Sequence, residues 1–351
     1  MDIIPVQQTF EITEVWEPLY RMRLKAAPFE QELFQSAPLR RLKHLHHFGA
    51  GALFSPVTHS RYEHTVGVWA LVKHFFPEDR ELRAAAIVHD TGHLPFSHSI
   101  EQAFGLSHHH MTEEMIGSSP LTTILIRHGL SPNRIIGLLN GDSPLTHRSD
   151  FLGIDHLDSF LRDTHMAGRG TAHPYELVRS LRFHGHFVDT DEKTAVHLLN
   201  AIVNDNLIFL QPQFLAMDDL LSRAVKAYCS EVASDSFITS GDNVDNVYCS
   251  ASASAAARNI ARMTDYELLC LLQSCSAPDI RELLHVLLAE PHRIVLCEAH
   301  APGAHEVTVR KAYCKQPLVQ GLPLRDVNPA AREALDRVSA LAGTYYYRIR
   351  E

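Results

Sequence analysis

The chain alternates between apolar stripes at helical spacing and short, proline-marked breaks. Apolar residues recur three and four positions apart over 29–47, 62–76, 81–89, 120–128, 132–139, 155–164 and 191–209, which places them on one face of a helix in each segment. Pro77, Pro120, Pro132 and Pro144 punctuate these stretches, each compatible with a helix start or the turn before one. Segment 184–189 has the alternation of a short strand, and 234–254, rich in Ser, Asp, Asn and Gly, reads as a loop or linker. Beyond it, 264–273 and 278–289 are helical in pattern, whereas 293–298 and 307–312 alternate as strands around Ala301-Pro302-Gly303. The run Tyr345-Tyr346-Tyr347 opens a last strand candidate, its rings suited to a half-buried sheet. The pattern predicts a mainly α fold with a main helical domain over 1–230, a linker over 231–257 and a small α+β carboxy-terminal lobe over 258–351.

Composition narrows the class. With 351 residues, 45% of them apolar, the chain can bury a large core, and no apolar run approaches the length that spans a bilayer. The start, Met1 to Gln8, lacks the basic and apolar regions of a signal peptide, and the six cysteines form no Cys-x-x-Cys pair, so a reduced, cytoplasmic protein is expected. A net charge of −9 argues against a general nucleic-acid binder. The basic group Arg40, Arg41 and Lys43 reads as a solvated helix face near a site entrance.

Candidate chemistry concentrates where an apolar run ends in His89-Asp90, with His93 and His98 just beyond. A neutral nitrogen and an anionic oxygen side by side suit a divalent first-row ion, although an isolated pair of this kind also serves as a plain hydrogen-bond couple. His64 stands in the first turn of another apolar helix, and Asp155 opens a third. Two imidazoles and two carboxylates would leave coordination positions for water and a phosphate oxygen. Spacing alone leaves open whether the three segments converge.

Arg61-x-x-His64, His89-Asp90-x-Gly92-His93-x-Pro95-Phe96-Ser97-His98 and Asp155, in this order, resemble the HD-domain phosphohydrolase superfamily, most closely its deoxynucleoside-triphosphate triphosphohydrolase branch. The likeness covers roughly 33–165 well and the stretch to about 230 loosely. It implies an HD-domain helical fold, metal-assisted hydrolysis of a nucleotide phosphate and a homo-oligomer, with no membrane partner. His64, His89, Asp90 and Asp155 would hold one divalent ion (manganese, iron, cobalt or nickel), and magnesium is a further candidate alongside the substrate phosphates. Arg61 and His93 would contact the reacting phosphate, while His98, partnered by Glu101, would protonate the leaving group. His108 matches a further catalytic histidine, with His109 and His110 as alternatives in the triple-histidine run. His47, Phe48, His156, Ser159, Asp163 and Tyr228 fall at substrate-contact positions.

The departures lie in that outer set. Where the triphosphohydrolases carry a basic residue and an aromatic after the last metal aspartate, this chain has His156 and Ser159. If Tyr228 is the family's tyrosine, a phosphate-gripping arginine is replaced by Leu220, and His47 and Phe48 replace a glutamine and a leucine along the sugar. The expected substrate is therefore a nucleoside triphosphate or a shorter nucleotide phosphate, with weakened hold on the phosphate tail. Other readings of the same motifs are a nucleotide-sensing regulator with weak turnover and a di-iron HD oxygenase.

Overall fold

The computed structural model describes residues 13–238 and 251–351. Met1 to Gln8 and most of the 234–254 segment lie outside them. Helices Arg61–Phe75, Arg80–Val88, Leu121–Arg127, Pro132–Asn140, Ile154–Met166 and Glu192–Phe209 match the apolar stripes to within a residue or two. Together with Pro28–Gln35 they surround a core built on Leu33, Val68, Trp69, Leu71, Ala85, Ile87, Leu157 and Ile202.

The stripe over 29–47 is not one helix. It breaks at Ser36, whose backbone is extended, into Pro28–Gln35, Ala37–Arg41 and a 3-10 turn Leu42–His44. Pro38 has no N–H for the Phe34 carbonyl and its ring crowds that oxygen, so the first helix cannot continue. The basic group that follows is not a uniform solvated face. Arg40 and Lys43 are exposed, but Arg41 is partly buried and gives its guanidinium to the carbonyls of His93, Ala261, Arg262 and Met263.

The strand expected at 184–189 is a hairpin, Arg182–His184 and Phe187–Thr190, turned by Gly185 in the left-handed region. Its second strand pairs in parallel with Leu318–Val319, which pairs in turn with Leu322–Pro323. A three-stranded antiparallel sheet is ordered Ile294–Leu296, Gly343–Ile349, His305–Val309, and its central strand carries the tyrosine run, with Tyr347 buried.

The carboxy-terminal region is the smaller, strand-containing part, and it is woven into the helical body. The expected boundary near 230 falls inside the 27-residue helix Pro212–Ile238. Val319, Leu324, Ala331 and Leu335 join the first core. Leu268, Ile280, Leu284 and Tyr347 share a second core with Leu94, Phe96, Leu220 and Leu221. Among the described residues no helix is long and apolar enough to cross a membrane.

Candidate active site

Helix ends set the site. Ser60 caps helix Arg61–Phe75: its hydroxyl accepts from the Glu63 N–H, and the Glu63 carboxylate accepts from the Ser60 N–H. That fixed start puts Arg61 and His64 one turn apart. His89 closes helix Arg80–Val88 and Asp90 follows it, while Asp155 lies in the first turn of Ile154–Met166, where a carboxylate is favoured by the helix dipole. Gly92 lets the helix His108–Ile116 approach: a Cβ there would meet the Thr112 N–H and the His108 carbonyl. Thr112 then ties the two segments, accepting from the Gly92 N–H and donating to the His89 carbonyl.

The three helices converge. His64 Nε2 lies 3.1 Å from Asp155 Oδ1, 3.2 Å from His89 Nε2 and 3.9 Å from Asp90 Oδ2. His89 Nε2 is 3.4 Å from Asp90 Oδ1 and 3.7 Å from Asp155 Oδ1. Each imidazole spends its other nitrogen outside this group: His64 Nδ1–H donates to Asp158 at 2.8 Å, and His89 Nδ1–H to the Ala86 carbonyl at 2.8 Å. His89 Nε2 is thereby a lone pair. The place between it, His64 Nε2 and the two carboxylates takes a proton or a cation. Burial opposes charge on His64, yet hydrogen bonds to Asp155 and Asp158 outweigh it and raise the ring to about 10. Ligand atoms about 2.1 Å from one ion sit roughly 3.0–3.4 Å apart, close to the spacings here. His64, His89 and Asp90 fit a divalent metal in donor type and spacing, and Asp155 stands beside the two imidazoles as a further carboxylate donor.

Asp158 is the buried support of this centre. Besides His64 it accepts from Tyr20 Oη (2.7 Å) and from Arg162 Nε and Nη2 (2.9 Å each), and Arg162 also reaches Glu17 at 2.8 Å. Gly67 makes room for this pair, because a Cβ there would run into both Asp158 and Arg162.

Around the centre, Arg61 donates to Ser97 Oγ (2.8 Å) and Asp90 Oδ2 (3.0 Å). Phe96 and Ser97 both have positive φ, 54° and 56°, a costly backbone for non-glycine residues. Three bonds hold it: Phe96 N–H to Asp265 (2.6 Å), Ser97 Oγ–H to the His46 carbonyl (2.6 Å) and the Arg61 contact. Asp265, fully buried, also accepts from His46 N–H and Nδ1–H, both at 2.7 Å.

His93 Nε2 is 3.2 Å from Asp90 Oδ1, and burial with the nearby Arg61 charge keeps the ring neutral, well below its usual range. Its ring stacks on His108 at 4.1 Å. Glu101 is shared by His108 Nδ1 (2.7 Å) and His98 Nδ1 (3.2 Å), and these contacts hold its carboxyl below its ordinary range despite burial. Among the three consecutive histidines, His108 and His109 face the cavity, and His110 is turned outward to Glu114.

Arg61, Asp90, His93, Ser97, His98, His108 and Asp155 line an open cavity of about 840 Å³. Of the residues matched to substrate contacts, Arg61, His47, Phe48, His156, Ser159 and Asp163 are on its wall. Tyr228 is not; it packs against the second core, where Leu220 is fully buried. The Pro212–Ile238 helix instead shows the cavity Asp218, Asp219 and Ser222. Cations come from elsewhere: Arg148, Lys311 and Lys315 line the same wall beside Tyr313. Lys315 is buried and donates to the carbonyls of His147 (2.8 Å) and Ser149 (2.5 Å), which stiffens the loop carrying Arg148.

Sequence reasoning passed over Asp158 and Arg162, although they share a helix face with Asp155 at three- and four-residue steps. It also passed over Asp265, Arg148, Lys311 and Lys315, for which no local pattern exists.

Fold and site define a His/Asp cluster able to hold a metal in a mainly α protein. Residues 61–141 match the HD domain family. The uncharacterized protein YdhJ of Bacillus subtilis is 27% identical over 208 residues, 56% of this chain and 63% of its own. The metal-dependent phosphohydrolase cns2 of Cordyceps militaris is 29% identical over 177 residues, 47% of this chain and 49% of its own. A phosphohydrolase from Bacteroides thetaiotaomicron superposes with a TM-score of 0.66 over 96% of this chain and 99% of that one, at 15% identity, a likeness of fold. The chain spans less than two thirds of the length of these curated relatives. The family likeness thus covers the segment that carries Arg61, His64, His89 and Asp90, and one relative that shares it is named a metal-dependent phosphohydrolase.

Proposed function

We propose that the chain is a metal-dependent phosphohydrolase acting on a nucleotide, either a nucleoside triphosphate or a shorter nucleotide phosphate. The observation that carries this is the convergence of His64 and His89 on Asp90 and Asp155, two carboxylates that line a cavity of about 840 Å³ together with Arg61 and His93. That volume is within the usual range for a small-molecule site, roughly 300–1,000 Å³. These four residues would hold a divalent ion, which would supply Lewis acidity toward a phosphoryl oxygen and the attacking water.

The chain's own groups supply the rest. Arg61, oriented by Ser97 and Asp90, offers a planar guanidinium to a phosphate oxygen. Neutral His93, fixed by Asp90 and stacked on His108, shapes the wall where the phosphate would rest. Glu101 contacts His98 and His108 and orients both rings, which suits delivery of a proton to a leaving oxygen. Arg148 and Lys311 replace, from other parts of the chain, the phosphate-tail charge that His156, Ser159 and Leu220 lack. Phe48, Phe209 and Tyr313 offer aromatic surface for a base.

The test is a panel of nucleoside mono-, di- and triphosphates given to manganese-loaded protein, with product phosphates resolved by chromatography. Hydrolysis of at least one nucleotide is expected. Asp90→Ala should lower it by orders of magnitude, reduce bound metal and leave helical content intact. No turnover of any nucleotide, or full activity in metal-free Asp90→Ala protein, overturns the reading.

A further inference from the structure

Next to the first centre, four other side chains meet from four parts of the fold. His47 follows the 3-10 turn Leu42–His44, His59 precedes the Ser60 cap, Asp163 is on Ile154–Met166 and Asp205 on Glu192–Phe209. The two histidine segments are joined by a backbone bond from His47 N–H to the His59 carbonyl at 2.9 Å, and their rings stack 4.7 Å apart. His59 Nε2 lies 3.2 Å from Asp163 Oδ1 and His47 Nε2 3.5 Å from Asp163 Oδ2. These are the spacings of nitrogen and oxygen ligands about 2.1 Å from a common ion, roughly 3.4 Å apart in a tetrahedral site.

The polar atoms here lack partners. His47 Nδ1, both nitrogens of His59, Asp163 Oδ1 and Asp205 Oδ1 are buried without a hydrogen bond, and all four residues are less than a tenth exposed. Native interiors rarely leave so many unpaired polar atoms in one place. Asp163 and Asp205 are in hydrogen-bonding contact with each other, which needs a proton on one of them while no cation is bound, and no cationic side chain is bonded to either. A water or a sugar hydroxyl would answer one or two of these atoms. A cation displaces the proton shared by the two carboxyl groups and answers their oxygens and the nitrogen lone pairs together.

We propose that His47, His59 and Asp163 form a second metal site, with Asp205 bonded to Asp163 beside it, distinct from the His64–His89–Asp90–Asp155 centre and opening into the same cavity through His47, Asp163 and Asp205. Two imidazoles and a carboxylate without a thiolate select a borderline divalent ion such as zinc over calcium or magnesium. The His47 ring packs against that of His64 at 4.8 Å, so the two centres are neighbours. The proposal does not rest on the hydrolase reading, because its readout is metal and not turnover.

The test is metal stoichiometry of the full chain, stripped by chelator, reloaded with zinc and dialysed, with zinc and protein both quantified. Wild type should hold two equivalents. His59→Gln and Asp205→Asn should each hold one, with at least tenfold weaker affinity for the second, the usual effect of disturbing a site's ligands or their supports. Asp90→Ala should also hold one, retained at the second site, which separates failure of this proposal from failure of the first centre. His108→Gln should keep both, since a second ion in the neighbouring cluster of His93, His98, Glu101 and His108 would be lost there instead. Should the variants not fold, anomalous diffraction of wild-type crystals at the zinc edge should show a peak between His59 and Asp163. A single equivalent in wild type that His59→Gln keeps and Asp90→Ala loses, no such peak, or loss of the second ion in His108→Gln and not in His59→Gln overturns the proposal.

Discussion

The His64 imidazole is held by Asp158 through a 2.8 Å bond at Nδ1, so a residue that does not reach the cavity sets which nitrogen faces the metal position. Asp158 also keeps Arg162 and Tyr20 in place, and the whole arrangement is buried. Asp158→Asn preserves shape but loses the charge that makes His64 a strong ligand, and should weaken metal affinity about 10–100-fold. Competition of the purified variant against a chromophoric chelator measures this. An unchanged affinity would show that Asp158 serves packing alone.

Leaving-group chemistry tests the proton path. His98→Ala should retain metal and nucleotide binding yet lose turnover by roughly 10²–10⁴-fold, the range for a positioned general acid. Because Glu101 serves both His98 and His108, Glu101→Gln should cost at least as much. Substrates with better leaving groups should suffer less in both variants. Equal losses on good and poor leaving groups would reduce His98 to a shaping role.

Phosphate-chain preference separates two sources of positive charge. His156→Lys should raise kcat/KM selectively for triphosphates, a regained charged hydrogen bond contributing about 1.5–3 kcal/mol. Lys311→Ala should lower triphosphate use by a similar factor, since Lys311 is the exposed lysine on that wall. Kinetics on the mono-, di- and triphosphates of one nucleoside decide it. Indifference of all three substrates to both changes would place the tail elsewhere in the cavity.

Asp218 gives a pH signature away from the metal ligands. Burial pushes its carboxyl up to about 6, even though it accepts from Ser99 Oγ–H and the Ala50 N–H. With the folded value above the unfolded one, near 3.9, its favourable contribution is complete below about pH 4 and is lost as pH rises through about 6. Asp218→Asn keeps an acceptor for both donors and cannot ionise. Its Tm should therefore exceed that of wild type at pH 7 and converge with it as pH falls below 5. A gap independent of pH would rule out this ionisation as the cause.

The features legible in the sequence were the local ones. The helices carrying His64, His89 and Asp155 show as apolar stripes bounded by caps and prolines, and their residues do meet. The 29–47 stripe misled because periodicity ignores a missing N–H at Pro38. Arg41 looked like surface because its acceptors, the carbonyls of residues 261–263, lie more than 200 positions away. The same distance hid Asp265, Lys311 and Lys315, whose roles come from tertiary contact. Tyr228 was placed by register along a helix whose inward face turned out to be Leu220 and Leu221.

Asp265 has a consequence for how this molecule can be cut or recombined. It anchors the backbone of Phe96 and His46 from a helix that begins 124 residues after the end of the recognised HD segment at 141. A fragment ending before it would carry every motif residue and still release the Phe96-Ser97 turn to relax out of its left-handed backbone, taking the Arg61 support with it. The heritable unit of this site is thus longer than its signature: chimeras that exchange only the motif span would inherit ligands without the brace that aims them.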